Sequence, residues 1–395
     1  MFLAFDPVAI ARSVFPFVSL LLVLVVIHEF GHFLAAKAFG IKVLEFGIGF
    51  PPRAKTMFTK GETEYTLNWL PIGGFVRLLG EEDPSDPRSL AAAPRWQRLT
   101  VMGAGVMMNL VLAVVLLSVG FMVPRDRSLS LAQIVEVSPG SPAAEAQVNG
   151  EMRDGSQPVQ GIQVGDIVTE VEGRDVKNTS ELVYVNRLNL GETQHWTIIR
   201  AGSTLTAEVY ARWHPPAGQG PTGVRIGAPQ TCTYDSNFEP IQCQLKYPQT
   251  ENEWYWPWQA FPKGAQSLVD TMVLTVNEIR VRVGGGGGAS LGGDDQPAFT
   301  GPVGIAETTG TLIEEAGWRP LIEFAALLSL NLAIFNALPI PMLDGGRMFF
   351  VVLEILRGGR RISPEKEGLV HFAGFALMMA GVLVVTYFDI ARLVT

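Results

Sequence analysis

A long apolar run near the start of the chain carries three ionisable side chains, and this combination limits the possible folds more than any other feature. The run extends from Val14 to Ala38, and His28, Glu29 and His32 lie in its second half. A helix of this length spans a bilayer core of about 30 Å. Because each charged group near the centre of such a helix costs about 2.5 to 3.5 kcal/mol, polar residues there are expected to serve a function.

The three residues form the pattern His-Glu-x-x-His, which is found in zinc proteases. On a helix, histidines four residues apart project from one face about a turn from each other, so they can share one metal ion, and Glu29 falls beside them. The chain has only five histidines among its 395 residues, so a chance match is rare. We therefore predict that His28 and His32 bind a metal ion.

Four segments of the chain are long and apolar enough to cross a bilayer, and 48% of all residues are hydrophobic while only 17% are charged. The segments cover residues 14–38, 99–123, 321–343 and 369–390. Lys and Arg are frequent in the connections 41–98 and 347–368, and positively charged loops stay in the cytoplasm. We therefore predict a polytopic α-helical membrane protein with four transmembrane helices, whose termini and long segment 124–320 lie outside the cytoplasm.

The connection between the first two spans contains three strand-like segments that predict a small β-hairpin sheet. Residues 43–50, 63–70 and 75–79 are rich in β-branched and aromatic side chains, and the two separators are Lys60-Gly61 and Pro71-Ile72-Gly73-Gly74. Their apolar content favours a position partly within the membrane, where backbone outside a helix must be covered by protein or reached by water. The alternative is a sheet that rests on the membrane surface.

Residues 129–213 have the pattern of a soluble α+β domain. It predicts strands at 131–137 and 166–172, a helix capped by Thr179 or Ser180 that ends at Leu188, and a hairpin of 196–200 and 205–211. The strings PGSPAA at 139–144 and GDIVTEVEG at 165–173 resemble a bacterial PDZ domain, in which a strand edge binds an extended peptide. Residues 148–160 look like an insertion, so two roles stay open: peptide binding and steric gating.

The segment 214–300 has the features of an extracytoplasmic insert. Trp254, Trp256 and Trp258 fit either an aromatic belt at the membrane surface or packing against the soluble domain. Cys232 and Cys243 are the two cysteines, and both a local disulfide and two free thiols are open to them. Residues 284–293 form a glycine-rich linker. An amphipathic helix is predicted to pack through Leu268, Met272, Val276, Ile279 and Val283.

A catalytic zinc site takes three protein ligands and keeps one position open, so a third donor is required. Asp344 comes directly after the third apolar segment, as the only carboxylate there after Glu323, and it lies toward the same membrane face as the histidines. Pro339, Pro341 and the pair Gly345-Gly346 are expected to break the helix there and to open room around the carboxylate. We therefore nominate Asp344 as the third ligand, with His371 in reserve.

Motifs spread over nearly the whole chain resemble the bacterial site-2 intramembrane metalloproteases. They are the histidine motif and the strings at 71–76, 105–109, 301–305 and 336–345. The similarity is to the RseP type, but with room for a single PDZ domain. It implies that one zinc ion is held by His28, His32 and Asp344 and that Glu29 is the catalytic base. It also implies that substrate is bound by Asn336, Asn109, Gly73 and Gly74.

The resemblance implies a zinc endopeptidase that performs regulated intramembrane proteolysis after another protease has made a first extracytoplasmic cut. The implied substrates are single-span membrane proteins such as anti-sigma factors or signal-peptide remnants, with no role for nucleic acid. The implied location is the bacterial cytoplasmic membrane, with the active site toward the cytoplasm and the PDZ-like domain outside. Two other classes are open: an ion- or proton-coupled transporter, and a catalytically silent PDZ scaffold in the membrane.

These predictions divide the chain into eight regions. In order they are the first transmembrane helix (1–40), the hairpin region (41–98), the second transmembrane helix (99–123), the PDZ-like domain (129–213), the insert with its helix and linker (214–300), the GPVGI segment with the third transmembrane helix (301–346), a cytoplasmic loop (347–368) and the fourth transmembrane helix (369–391). Because the nominated ligands come from the first and sixth regions, the fold must bring distant parts of the chain together.

Overall fold

The computed structural model describes residues 7–81, 83–216, 218–234, 240–245, 250–283, 301–316 and 318–394. The predicted glycine-rich linker at 284–293 lies outside these residues. The chain divides into two compact units: residues 1–122, 256–268 and 299–395 form the first, and residues 123–255 and 269–298 form the second. Apolar helices are concentrated in the first unit and strands in the second.

The described residues form eight helices, and four of them are long and apolar enough to cross a membrane. The helices are α1 (Pro7–Ala38), α2 (Arg95–Met122), α3 (Thr179–Leu188), α4 (Pro257–Val283), α5 (Pro302–Ala316), α6 (Pro320–Ala337), α7 (Asp344–Leu356) and α8 (Pro364–Val394). The four candidate spans are Val14–Ala38, Arg95–Met122, Pro320–Ala337 and Glu365–Ala391. They fall where the sequence predicts them, so this chain is a polytopic membrane protein.

The third apolar helix ends earlier than the sequence predicts. α6 stops at Ala337 because Leu338 precedes Pro339 and has an extended backbone, with ψ of 145°. The proline-rich segment therefore interrupts the helix as expected, but the two glycines after Asp344 do not. They form the first turn of α7, where a Cβ atom on Gly345 would overlap the carbonyl group of Leu338. The predicted cytoplasmic loop at 347–368 is consequently helical as far as Leu356.

The sheet between α1 and α2 consists of two long strands, β1 (Val43–Lys60) and β2 (Thr63–Leu78), instead of three short ones. Residues 45–48 lie at its centre, because each of them pairs with one residue of 64–67 and with another of 74–77. The predicted turn at Pro71-Ile72-Gly73-Gly74 is a bend within β2, which Gly73 permits with its φ of 80°. The second half of β1 was not predicted, since its charged residues and prolines show no alternation.

The described strands of the second unit are β3 (Arg125–Ser128), β4 (Ala132–Val137), β5 (Gln147–Asn149), β6 (Ile167–Val171), β7 (Arg174–Asp175), β8 (Thr193–Arg200), β9 (Ser203–Tyr210), β10 (Val224–Gly227), β11 (Gln230–Tyr234), β12 (Pro240–Leu245) and β13 (Thr250–Glu253). Seven of them form one sheet in the order β10-β4-β6-β8-β9-β5, with β7 paired to β6. The core of this unit is built around the fully buried Trp196, Ile134 and Leu182, the last of which lies on α3.

The predicted elements of this unit are present, with one correction to a helix cap. The strands predicted at 131–137 and 166–172 are β4 and β6, and the predicted hairpin is β8 and β9. The cap of α3 is Asn178 rather than Thr179 or Ser180, which both belong to the helix itself. Asn178 has an extended backbone, and its side-chain oxygen accepts from the N–H of Glu181 at 3.0 Å.

The predicted insertion at 148–160 is tied into the sheet. It begins in β5, which pairs with β9, and the side chain of Gln160 binds the N–H and the carbonyl group of Val148 at 2.9 and 3.1 Å. In the separate pair of β11 and β12, Cys232 lies opposite Cys243, and the disulfide stays a prediction. The aromatic belt also stays a prediction, although Trp256 and Trp258 are exposed and stacked on each other.

The second half of α4 packs through Asp270, Asn277 and the apolar Val281, whereas three of the five residues of the predicted apolar stripe are exposed. Asp270 accepts hydrogen bonds from Arg174 at 2.6 and 2.9 Å and from the Tyr184 hydroxyl at 3.0 Å. Burial and the Asp270 carboxylate raise the pKa of that hydroxyl, which keeps its proton as a donor. Asn277 donates to two carbonyl groups at the end of α3, which need partners outside their own helix. The residues left exposed are Met272, Val276 and Ile279.

A buried ion pair in the second unit provides a stability test. Arg200 donates to the Asp166 carboxylate at 2.8 and 2.7 Å, and both side chains are buried. Arg200→Met leaves that carboxylate buried without its cation, so we expect the free energy of unfolding of this unit to fall by about 3 to 5 kcal/mol. Hydrogen exchange of the β6 and β8 amides in the full-length protein in detergent measures the loss.

The matched control is Arg225→Met, which removes the exposed ion pair between Arg225 and Glu136. Because exposed pairs contribute little, this variant should change the same free energy by less than about 0.5 kcal/mol. Equal exchange rates in the two variants would contradict the importance of the buried pair.

Candidate metal centre

The first two members of the site lie one turn apart on α1. His28 and His32 are 5% and 9% exposed, and their Nε2 atoms lie 3.2 Å from each other. The helix runs through both residues because the sequence from 17 to 38 contains no proline and a single glycine. The spacing of four residues therefore turns the two imidazoles to one side of the helix, as predicted.

The third member comes from the other end of the chain. Asp344 is the first residue of α7, and its Oδ2 atom lies 2.9 Å from His28 Nε2 and 3.2 Å from His32 Nε2. One ligand atom of each residue lies within 4.8 Å of the other two, and no other such group of His, Cys, Asp and Glu occurs in the described part of the chain. Two nitrogen donors and one carboxylate oxygen form a donor set that a catalytic zinc ion takes.

Hydrogen bonds behind the histidines orient their rings for metal binding. His32 Nδ1 lies 2.7 Å from the Val101 carbonyl oxygen, which only accepts, so Nδ1 carries the proton and Nε2 keeps its lone pair. His28 Nδ1 lies 3.1 Å from Asn109 Nδ2, and the Oδ1 atom of the same amide is buried without a hydrogen-bond partner among the described residues. When the Asn109 amide is oriented with Oδ1 toward the ring, this oxygen accepts from His28 Nδ1. The imidazole then carries its proton on Nδ1, as in His32, and its Nε2 keeps a lone pair for a metal. The residues present therefore fit a zinc ion held by both Nε2 atoms and Asp344.

Asn109 lies behind His28, and its predicted contact with substrate stays a prediction. Its side chain is fully buried behind His28, and its backbone carbonyl accepts from the Ser329 hydroxyl of α6 at 2.8 Å. The residue thus connects α2 to the histidine helix on one side and to α6 on the other. The sequence carries no signal for this arrangement, because an asparagine within a span bonds whichever neighbour the packing supplies.

Two glycines allow α1 and α2 to approach closely at the metal centre. A Cβ atom on Gly105 would stand 2.6 Å from His28 Nε2 and would overlap His32 Nε2. A Cβ atom on Gly31 would overlap the carbonyl group of Ala104. Either side chain would push the helices apart or turn the imidazoles away, so the absence of a side chain is required at both positions.

Glu29 lies beside the triad and contacts the edge of the hairpin sheet. Its Oε2 atom accepts a hydrogen bond from the N–H of Val76 at 3.1 Å. Glu29, His32 and Asp344 line one cavity of about 330 Å³, together with the apolar side chains of Leu78, Leu90, Val101 and Met102. The cavity therefore combines a carboxylate that can take up a proton with two of the donors that can hold a metal.

The structure brings some of the predicted substrate-binding residues to this cavity and leaves others outside it. Gly74 lines the cavity beside Glu29. Gly73 adjoins it and supports the bend of β2 with its positive φ. Asn336 lies half-buried in the last turn of α6, and its amide has no hydrogen-bond partner among the described residues. Substrate contact by these residues stays a prediction.

Sequence reasoning missed the polar contacts around the cavity. Arg347 in the first turn of α7 pairs with Glu81 at 2.8 Å, and both residues line the cavity. His371, the reserve ligand, instead accepts a hydrogen bond from the N–H of Met342 at 2.8 Å. The charges were visible in the sequence, but their partners were not, because Glu81 and Arg347 are 266 residues apart.

Comparison with known proteins identifies the family of this chain. The sequence pattern of peptidase family M50 matches residues 16–381. The chain belongs to peptidase family M50. Among the similar proteins, zinc metalloprotease RasP of Oceanobacillus iheyensis is 28% identical over 467 aligned residues, covering 96% of this chain and 99% of its own. Regulator of sigma-W protease RasP of Bacillus subtilis is 28% identical over 465 residues, covering 97% and 99%. A Clostridium perfringens protein whose name includes the words zinc metalloprotease is 33% identical over 369 residues, covering 93% and 95%.

Membership of family M50 confirms the predicted enzyme class. The chain is a site-2 type zinc metalloprotease, as the motifs predict, and not a transporter. Its four apolar helices make it an integral membrane protein. Its cofactor is zinc, and the group of His28, His32 and Asp344 can bind one metal ion.

The close contact between Gly105 and the two imidazoles predicts that one added methyl group weakens zinc binding. In Gly105→Ala the new methyl group occupies the space of the two imidazole nitrogens, so we expect the zinc affinity to fall at least about tenfold. Zinc retained by the purified protein in detergent, after competition with a chelator, measures the affinity.

Gly103→Ala is the matched control on the same helix. There the nearest atom to the new Cβ is the sulfur of Met348 at 3.6 Å, an ordinary contact distance, so the affinity should not change. If both variants retain zinc like the wild type, the close approach of α2 to the histidines is not required.

Proposed function

We propose that this protein hydrolyses a peptide bond inside the membrane-spanning segment of single-span proteins, with His28, His32 and Asp344 as zinc ligands and Glu29 as general base. The observation that carries the proposal is that these four side chains converge beside one cavity. A zinc ion held there would lower the pKa of a bound water to about 7 and polarise a carbonyl group.

Glu29 is placed to move the proton. The N–H of Val76 anchors its Oε2 atom, so the carboxylate keeps one position while it takes a proton from the attacking water and passes it to the leaving nitrogen. The apolar wall of the cavity, which includes Leu78 and Leu90, suits the apolar side chains of a transmembrane substrate.

Substrate presentation requires local unwinding, because a transmembrane helix holds all its carbonyl groups in internal hydrogen bonds. Residues 74–77 form an edge of the hairpin sheet beside Glu29 and suit pairing with an extended segment of the substrate. The amide of Asn336, which has no hydrogen-bond partner among the described residues, suits a hydrogen bond to the same segment. The sheet lies partly within the membrane in this proposal, and its exposed Phe58, Trp69 and Leu70 support that position.

The second unit is, in this proposal, a PDZ-like domain outside the cytoplasm that selects substrates. A cavity of about 250 Å³ lies between α3 and β10, lined by Val183, Arg187, Val224 and Ile226 among others. A groove between a helix and a strand is suited to an extended peptide, such as the new end left by a first cut. This cavity favours peptide binding over a purely steric gate.

Anti-sigma factors and signal-peptide remnants are the proposed substrates. The Bacillus subtilis relative is named regulator of sigma-W protease, which supports a substrate that controls a sigma factor. The proposed location is the bacterial cytoplasmic membrane, with the basic connections 41–98 and 347–368 and the metal centre toward the cytoplasm.

The role of Glu29 predicts an inactive enzyme that keeps its metal. Glu29→Gln preserves an acceptor for the N–H of Val76 but cannot take up a proton, so we expect cleavage of a truncated single-span substrate in detergent to fall about 10²- to 10⁴-fold. Zinc content should equal that of the wild type, whereas Asp344→Asn should lose both zinc and activity. Cleavage at the wild-type rate by Glu29→Gln would rule out the assigned base, and cellular function retained by this variant would favour the scaffold alternative.

The proposed orientation predicts which positions an impermeant reagent can reach. In a chain with Cys232 and Cys243 replaced by serine, single cysteines at the exposed positions Ser85 and Gln157 report on the two sides of the membrane. With an impermeant maleimide on spheroplasts, we expect labelling of Gln157→Cys at once and of Ser85→Cys only after lysis. The reverse pattern would invert the topology.

A further inference from the structure

Three arginines surround a buried carboxylate, Glu354, near the end of α7. Glu354 is 5% exposed, and its two oxygens accept from Arg98 at 2.8 Å and from Arg95 at 3.1 Å. Arg361 lies 3.5 Å from the same carboxylate. Taking charges out of water costs several kcal/mol per ion, so a buried pair of this kind is weak evidence for stability and suggests another role.

α7 connects this ion pair directly to the metal centre. Asp344 is its first residue and Glu354 follows ten residues later, about 15 Å along the helix axis. Between them, Met348 and Val351 pack with Val101 of α2 in one apolar cluster. Apolar contacts are not directional, so they alone leave α7 free to slide or turn slightly on α2. The ion pair is directional, because its strength depends on the distance and angle of each hydrogen bond.

The partner helix of this ion pair is also the helix that orients the histidines. α2 carries Arg98, and within the next three turns it presents the Val101 carbonyl to His32 and the Asn109 amide to His28. Both helices that carry the nominated ligands are thus held by polar contacts with α2. α1 is held through hydrogen bonds to its imidazoles, and α7 is held through the carboxylate of Glu354.

We propose that Glu354 is a positioning residue for the metal centre: its bond to Arg98 fixes the axial position and rotation of α7 on α2 and thereby holds Asp344 against the two histidines. A shift of one residue moves a helix by 1.5 Å and turns it by about 100°. The Asp344 oxygen lies 2.9 and 3.2 Å from the two Nε2 atoms, so such a shift would remove it from the ligand set. The inference rests on the proposed role of Asp344 as a ligand.

Metal binding by the full-length protein in detergent tests this role apart from activity. For Glu354→Gln we expect a zinc affinity about 10 to 100 times lower than that of the wild type and a changed visible spectrum of the cobalt-substituted protein. Turnover should fall while KM stays the same. Glu251→Gln, which changes an exposed carboxylate paired with Lys177 in the second unit, is the control and should leave all three readouts unchanged.

A double variant separates positioning from stability. Replacing both partners, as Arg98→Met with Glu354→Met, removes the buried charges together, so thermal stability should recover relative to either single variant. Zinc affinity should stay low, because the directional contact is still missing. Recovery of zinc affinity along with stability would overturn the positioning role, and so would a Glu354→Gln variant that loses stability but binds zinc and cobalt like the wild type.

Asp344→Asn, measured in parallel, distinguishes failure of this inference from failure of the proposed function. If Asp344→Asn retains zinc like the wild type, the proposed ligand set is wrong. If Asp344→Asn loses zinc while Glu354→Gln binds it normally, the ligand set stands and the positioning role of Glu354 is wrong.

Discussion

The close packing of α2 on the histidine side of α1 is the contact on which the rest of the metal centre depends. Gly31 and Gly105 remove the side chains that would separate the two helices, and the backbone of α2 then comes within hydrogen-bond distance of the imidazole of His32. The same helix receives α7 with Asp344. α2 donates none of the three nominated ligands, yet it contacts or orients the elements that carry them.

The apolar helix bundle tolerates the polar groups of the site because nearly all of them have a hydrogen-bond partner. A buried polar group without a hydrogen bond costs about 1 to 3 kcal/mol, so an isolated His or Glu would destabilise such a helix. Here the imidazoles contact Val101 and Asn109, and Glu29 contacts the N–H of Val76. The hairpin sheet therefore provides a hydrogen bond to the Glu29 carboxylate and at the same time forms one wall of its cavity.

Much of the architecture could be predicted from local patterns. The four apolar helices, strands β4, β6, β8 and β9 of the second unit and the two histidines of the metal group follow from hydropathy, alternation and one motif. Two of the errors arose where packing against another segment overrode a local preference. Gly345 and Gly346 are helical because they pack against the preceding loop. In α4, Asp270 is buried because it accepts from Arg174, and Asn277 is buried because it donates to a carbonyl group at the end of α3.

The sequence by itself determined that a metal-binding pair would lie on one side of a membrane helix, since the spacing of His28 and His32 and the apolar run around them leave little choice. Only the tertiary structure decided which carboxylate completes the group and which residues orient the imidazoles. Helix periodicity acts over a few residues, whereas the contact between His28 and Asp344 spans 316 residues and exists only after α1, α2 and α7 have packed together.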